Sequence, residues 1–131
     1  MRFDRDDYCF ACGKENPDGL QLDIKAENGY SHTKMKFPLY MQGYNGIVHG
    51  GLIATVLDEL AVYAGISLGN KYATGEIKIR FKKPVKTSVE YIIEGEVIKN
   101  REKIVTAKSL IRDSEGVTYA EAEAKLIKIN E

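Results

Sequence analysis

The stretch H-G-G-L-I-A-T-V-L-D-E-L-A-V-Y-A-G-I-S-L, residues 49–68, decides the fold. From Leu52 to Leu68 it is apolar on nearly every side. Its β-branched residues suit a buried strand, but its length and continuous apolar cover favour a helix. A helix that is apolar all round is a buried one. Something must therefore wrap it, and the rest of the chain supplies strands.

Downstream, Tyr72–Lys82 sets Ile77, Ile79 and Phe81 in alternation with Lys78, Arg80 and Lys82. Val89–Val97 and Lys103–Ile111 follow, joined by a turn over Lys99–Glu102. Asp113-Ser-Glu-Gly116 makes the next turn, and Val117–Ile129 closes the chain. Upstream, Gln21–Ala26 and Ser31–Phe37 also alternate, with Asn28-Gly29 between them. That pair is a strong hairpin signal because both positions tolerate positive φ. Pro38–Val48 reads as a loop. Consecutive strands joined by short turns predict an antiparallel sheet, and one long helix must bury its surface against it. The fold class is α+β, a central helix wrapped by five to six strands. Residues 1–19, broken by Gly13, Asn16-Pro17 and Asp18-Gly19, read as an arm, and residues 20–131 as one domain.

Composition narrows the function. The chain has 131 residues, 44% of them apolar, enough for a single domain with a real core. Nineteen basic residues balance nineteen acidic ones, so nothing points to a nucleic-acid partner. No run approaches the ~20 apolar residues of a membrane span, and MRFDRDDYCF lacks the apolar core of a signal peptide. A cytoplasmic location is expected. Cys9 and Cys12 form a C-x-x-C and are the only cysteines. A zinc site needs further ligands, for which His32 and His49 remain. The pair is read as two reduced thiols packing an N-terminal loop, with a zinc shared across an oligomer as the alternative.

Asp58 and Glu59 are the only charged residues in the helix. A carboxylate in an apolar helix needs a reason to be there. Neighbouring helical side chains point about 100° apart, so one of the two is read as functional and the other as a solvent or interface residue. At the helix start, His49-Gly50-Gly51 offers N–H groups with no internal partner, suited to an anion or a developing oxyanion. His49 is read as an orienting or structural histidine. From position 49 to position 58 a helix rises on the order of 13 Å. A helix-start donor and Asp58 of one chain therefore cannot grip one carbonyl, and a two-fold partner is expected.

Together these features resemble the hotdog-fold thioesterases, in particular the phenylacetyl-CoA thioesterase-like and acyl-CoA thioesterase branch. The resemblance rests on G-I-V-H-G-G-L-I-A-T-V-L-D-E (46–59), T-G-E-I-K-I-R-F-K-K-P (74–84) and the opening C-F-A-C-G-K-E-N-P-D-G-L (9–20). It implies a homodimer with a continuous sheet, often paired again into a homotetramer, a dimer of dimers. The implied reaction is hydrolysis of an acyl-CoA to a carboxylic acid and coenzyme A. Gly50 N–H would polarise the carbonyl, and Asp58 of the neighbouring subunit would act as general base or nucleophile. Thr74 would hold the water, and His49 belongs to the same catalytic group.

No metal or redox cofactor is implied; coenzyme A is part of the substrate. Much of the branch has an asparagine six positions before the histidine, where this chain has Gly43. Gln42 or Asn45 is left to supply the second oxyanion donor. Gly51 and Glu59 are placed beside the substrate. Arg80, Lys82 and Lys83 are candidates for the phosphates of coenzyme A, or else a solvated strand face. Tyr40, Tyr44 and Tyr63 line the acyl pocket or pack an interface. The rival readings are a non-catalytic acyl-CoA sensor and, less favoured, a hydratase, which would need an acid–base pair absent beside His49.

Overall fold

The computed structural model describes residues 2–130. Its elements are β1 (Lys25–Glu27), β2 (Tyr30–Lys36), α1 (Gly50–Ile66), β3 (Tyr72–Phe81), β4 (Glu90–Arg101), β5 (Ile104–Arg112) and β6 (Thr118–Lys128), with a 3-10 turn at Leu39–Met41. The strands form one antiparallel sheet in the order β1-β2-β4-β5-β6-β3. The helix lies across one face of that sheet, as its apolar cover requires. Ile53, Val56, Leu57, Leu60, Ala61 and Ala64 are buried beneath it. Against them stand Tyr91 and Ile93 of β4, Val105, Ala107 and Ile111 of β5, and the alternate residues Ala120 to Leu126 of β6. Among the described residues no helix is long and apolar enough to cross a membrane.

One row across the sheet sets how closely the helix can approach. Ser31, Gly95, Ser109 and Ala122 are successive cross-strand neighbours on β2, β4, β5 and β6, and all four are small. A Cβ at position 95 would lie 2.3 Å from the Leu60 carbonyl oxygen, so the helix backbone occupies the space a side chain would need. The Ser31 hydroxyl donates to that same carbonyl at 2.6 Å. Glycine inside a strand normally weakens it, and here it is justified by the close approach of another backbone. Ser109 is the fourth member of the pattern and fares differently: its buried hydroxyl finds no partner among the described residues.

Both ends of the helix are tied down. At its C-terminal end the Ser67 hydroxyl donates to Ala64 O at 2.7 Å and accepts the Gly29 N–H at 2.8 Å. This joins the helix to the β1–β2 turn, where Asn28 and Gly29 take φ of 52° and 83°. At its start, Val48 N–H donates to Val85 O and His49 N–H to Met41 O.

Two elements differ from their expected bounds. Gln21–Ile24 alternates like a strand but pairs with nothing in the sheet; only Lys25–Glu27 does. Gln21 adopts φ 51°, and Leu22 N–H donates to Ala11 O instead. Leu20 and Leu22 are buried in the same core as Ile53, Leu57 and Tyr91, while the backbone of this stretch is bonded to the arm rather than to the sheet. The β4–β5 hairpin is longer than expected, running to Arg101↔Ile104 with the turn confined to Glu102 and Lys103.

Gly95→Ala should lower unfolding stability by about 3 kcal/mol, the upper part of the usual overpacking cost, because the atom it meets is backbone and cannot swing away. Ser109→Ala should leave stability unchanged or raise it by up to about 1 kcal/mol, since it removes an unsatisfied hydroxyl without adding volume. Urea unfolding midpoints of the two variants check both.

Candidate active site

The helix begins where the 38–48 loop closes. Gln42 Oε1 accepts the Gly46 N–H at 2.9 Å, and Gly43 N–H donates to Ile47 O. His49 is the N-cap, and its Nδ1 accepts the Gly51 N–H at 2.9 Å. That contact requires the Nδ1 lone pair, so the neutral ring carries its proton on Nε2. The side chain does for the helix what Ser or Asp commonly does at this position. It uses one of the free N–H groups and leaves that of Gly50, for which no hydrogen bond is found among the described residues. Beside Gly50 lies an apolar trough of about 330 Å³ lined by Tyr44, Ile47, Ile53, Phe81 and Pro84. Tyr44 is 84% and Phe81 58% exposed, an unusual outlay of aromatic surface at one spot.

Further along α1 the two acids part company. Asp58 turns toward β3, where its Oδ1 accepts the Thr74 hydroxyl at 2.6 Å. This contact depends on a bulge. The register of β3 against β6 slips between Thr74↔Leu126 and Glu76↔Lys125, leaving Gly75 unpaired. Ile77 and Ile79 oppose Ala124 and Ala122 on the helix side. By strict alternation Thr74 would face away, but the extra residue returns it to the helix side, opposite buried Leu126. A Cβ at position 75 would meet Ile127 Cγ1 at 2.7 Å, which is why glycine sits at the bulge.

Glu59 turns the other way, toward the N-terminal arm. Its Oε2 accepts from Cys9 Sγ at 3.2 Å. One turn on, the Tyr63 hydroxyl accepts from Arg5 Nη1 at 3.0 Å, and the Arg5 guanidinium lies 4.9 Å from the Tyr63 ring centroid. Burial pushes the Cys12 thiol up to about 11, and the Glu59 carboxylate adds to the effect. Burial likewise pushes the Tyr63 hydroxyl up to about 12. The arm thus covers the side of the helix that the sheet leaves open. The sequence offered no sign of this pairing, because its partners lie fifty positions apart.

The remaining expected residues are spread more widely. Asn45 is exposed on the loop before the helix. Arg80 and Lys82 pair with Glu121 at 3.9 and 3.2 Å, and Lys83 is exposed beside them. Exposed pairs of this kind contribute little to stability. A hollow of about 260 Å³ on the outer sheet face lies between Lys78, Arg80, Lys108, Glu121 and Glu123. It is on the side away from the helix and takes no group from Asp58, Thr74 or Gly50. Tyr40 is exposed, and Tyr63 is held by the arm.

The sequence model of the Thioesterase superfamily matches residues 45–120, from the loop before the helix into β6. The chain belongs to that superfamily. It is 28% identical over 124 residues to acyl-coenzyme A thioesterase THEM4 of Bos taurus, an alignment covering 92% of this chain and 51% of that protein. The chain thus spans about half the length of that curated relative. A crystal structure of a thioesterase superfamily protein superposes with a TM-score of 0.86 at 20% identity, covering 92% of this chain and 60% of the other. A hypothetical thioesterase from Streptococcus pneumoniae TIGR4, solved with coenzyme A, superposes at 0.78 with 23% identity, covering 84% of this chain and 87% of that one. The fold shared with these structures is the hotdog fold, the helix wrapped by its sheet.

The cap geometry is directly testable. His49→Ala should lower stability by about 1 kcal/mol, while His49→Asn, itself a good N-cap residue, should retain most of it. Comparing the two unfolding midpoints separates a capping role from simple loss of side-chain volume.

Proposed function

We propose that this domain hydrolyses an acyl-CoA thioester to a carboxylic acid and coenzyme A. The observation that carries the reading is the Asp58–Thr74 hydrogen bond, a carboxylate held on an otherwise apolar helix by a hydroxyl that a bulge directs at it. One Asp58 oxygen is oriented by Thr74, and no hydrogen bond to the other is found among the described residues. A carboxylate so placed is suited to take a proton from water or to attack the carbonyl itself. The thiolate of coenzyme A leaves readily, so a polarised carbonyl and a positioned base are sufficient.

Polarisation falls to the Gly50 N–H of a two-fold partner. Within one chain Gly50 and Asp58 are about 12 Å apart along the helix, too far to share a carbonyl. β3 is an edge strand, so a second copy can pair there and extend the sheet. In that assembly Gly50 of one subunit faces Asp58 of the other, and the trough beside Gly50 takes the apolar part of the substrate. Lys82 and Lys83, which border that trough, would meet the phosphates of coenzyme A, with Arg80 farther off on the outer sheet face, and Gln42 or Asn45 of the preceding loop would add a second donor. The family and the acyl-CoA thioesterase name of the Bos taurus relative support this choice of substrate. In the Streptococcus pneumoniae protein, an aspartate and a threonine sixteen positions apart have each been replaced by alanine. Asp58 and Thr74 have the same separation.

Thiol release from a panel of acetyl-, medium-chain, long-chain and aryl-CoA thioesters tests the reading. Asp58→Asn should reduce turnover at least ~100-fold and Thr74→Ala about tenfold, with fold and assembly unchanged. Saturable binding of acyl-CoA without turnover by the wild-type protein would instead establish a sensor.

The shared site has its own test. Gly50→Pro removes the donor at a helix position that tolerates proline, preceded by His49 at ψ 132°, a conformation that suits a following proline. Each single variant should be inactive. Refolding the Asp58→Asn and Gly50→Pro chains together at equal ratio should restore about a quarter of wild-type activity, because half the dimers are mixed and each has one intact site. No recovery on mixing would place both groups of a site in one chain.

A further inference from the structure

The sequence leaves the C-x-x-C pair two ligands short of a zinc site and offers only His32 and His49 to complete it. Neither histidine is near. His32 lies on the exposed side of β2 against the Tyr30 ring, and His49 caps the far end of the helix. The third donor comes from elsewhere. Cys9 Sγ, Cys12 Sγ and a Glu59 carboxylate oxygen all lie within 4.8 Å of one another. We propose that Cys9, Cys12 and Glu59 bind a zinc ion that fastens the N-terminal arm to the outer side of the central helix.

The chemistry of the three donors fits that ion. Zinc takes thiolate sulfur at about 2.3 Å and carboxylate oxygen at about 2.1 Å, so tetrahedral ligands stand roughly 3.5–3.8 Å apart. The observed cluster needs only a contraction within one short loop to reach this spacing, since Cys9 and Glu59 are already in contact at 3.2 Å. Glu59 has a fixed backbone in the middle of α1, and the two cysteines lie in a turn where Gly13 N–H donates to Cys9 O. The mixture of two soft ligands and one hard one selects zinc over calcium or magnesium, which prefer oxygen alone.

Charge also balances. Binding Zn²⁺ displaces the two thiol protons, and two thiolates with one carboxylate leave the site at a net charge of −1. Arg5 supplies the compensating charge, its Nη1 donating to Cys12 Sγ at 3.8 Å while Tyr63 holds the guanidinium in place. A donor in this position supports a metal-bound thiolate from outside the coordination shell. The fourth position is left to water. Cys9 is exposed, so solvent reaches the site. The ion's role is mechanical: it joins a segment without regular structure to a helix about fifty residues away in sequence. It is distinct from the Asp58–Thr74 contact, which lies toward β3.

The test uses the full chain, reduced so that both thiols titrate, equilibrated with zinc chloride and then with a competing chromophoric chelator. The wild-type protein should retain about one zinc ion per chain. Affinity should fall at least a hundredfold in Cys9→Ser and Cys12→Ser and at least tenfold in Glu59→Gln, which keeps both thiols and the shape of the side chain. Cobalt(II) substitution provides a second readout, in which the wild-type protein develops a thiolate-to-metal absorption band that is lost in the cysteine variants. Zinc should also slow alkylation of both thiols in the wild-type protein, and less so in Glu59→Gln. A reduced wild-type protein that retains no zinc, or a folded Glu59→Gln chain that binds it as tightly as wild type, overturns the proposal.

Discussion

The structure depends on how near the central helix comes to its sheet. At the level of Leu60 the gap is closed to backbone contact, because the strand opposite carries Gly95 and its flanking neighbours are Ser31 and Ser109. This contact fixes the helix in depth and in rotation about its own axis. Once Leu60 O faces Gly95, the residues one turn to either side are assigned their surroundings, and Leu57, Ala61 and Ala64 must enter the core. The Ser31 hydroxyl makes the contact specific by giving a mid-helix carbonyl a second donor in a place water does not reach. A larger residue in the row would lift the helix and carry every group on its outer side with it.

That rotation places the two acids on opposite flanks. Asp58 and Glu59 are adjacent in sequence and so diverge by about 100°. With Leu60 pinned to the sheet, Asp58 reaches β3 and Glu59 reaches the arm. Neither is solvated like a surface carboxylate, and each has found a donor of a different kind, a hydroxyl for one and a thiol for the other. The bulge at Gly75 completes the first of these pairs. It resets the pleat of β3 so that a residue from the solvent side of the pattern is returned to the helix side. A bulge in an edge strand also deepens the local twist, which suits a strand that has to curl toward the helix.

Much of this was legible in the sequence, for identifiable reasons. The helix declared itself by apolar cover, β3 to β6 by alternation, and the first hairpin by Asn28-Gly29, all of them local signals. Asp58 and Glu59 stood out as the two acids of an apolar helix, but only the resemblance extending along the chain chose Asp58 between them and added Thr74. What was not legible was tertiary. Gln21–Ile24 has the pattern of a strand, but alternation reports only that one side is buried, and here the backbone partner of Leu22 is Ala11 of the arm, not a strand. The Thr74 orientation was hidden because an unpaired residue reverses parity without altering composition. The grouping of Cys9 and Cys12 with Glu59 has no local signature, because the carboxylate lies about fifty positions from the thiols and only the fold brings it to them.

The geometry of a single chain carries its own argument for a second one. The N–H groups at the start of α1 and the carboxylate at Asp58 belong to one rigid element, and no side-chain movement shortens the roughly two turns between them. β3, on the flank of Asp58, is an edge strand, and Tyr44 and Phe81 are exposed beside Gly50. On the proposed reading, a two-fold axis along that edge would meet both needs with one operation, covering the aromatic surface and setting each helix start against the other chain's acid. On the proposed reading the catalytic unit is therefore the pair. The rigidity that keeps the two groups apart within a chain then holds them in register across the interface, since each is fixed by its own helix rather than by a loop.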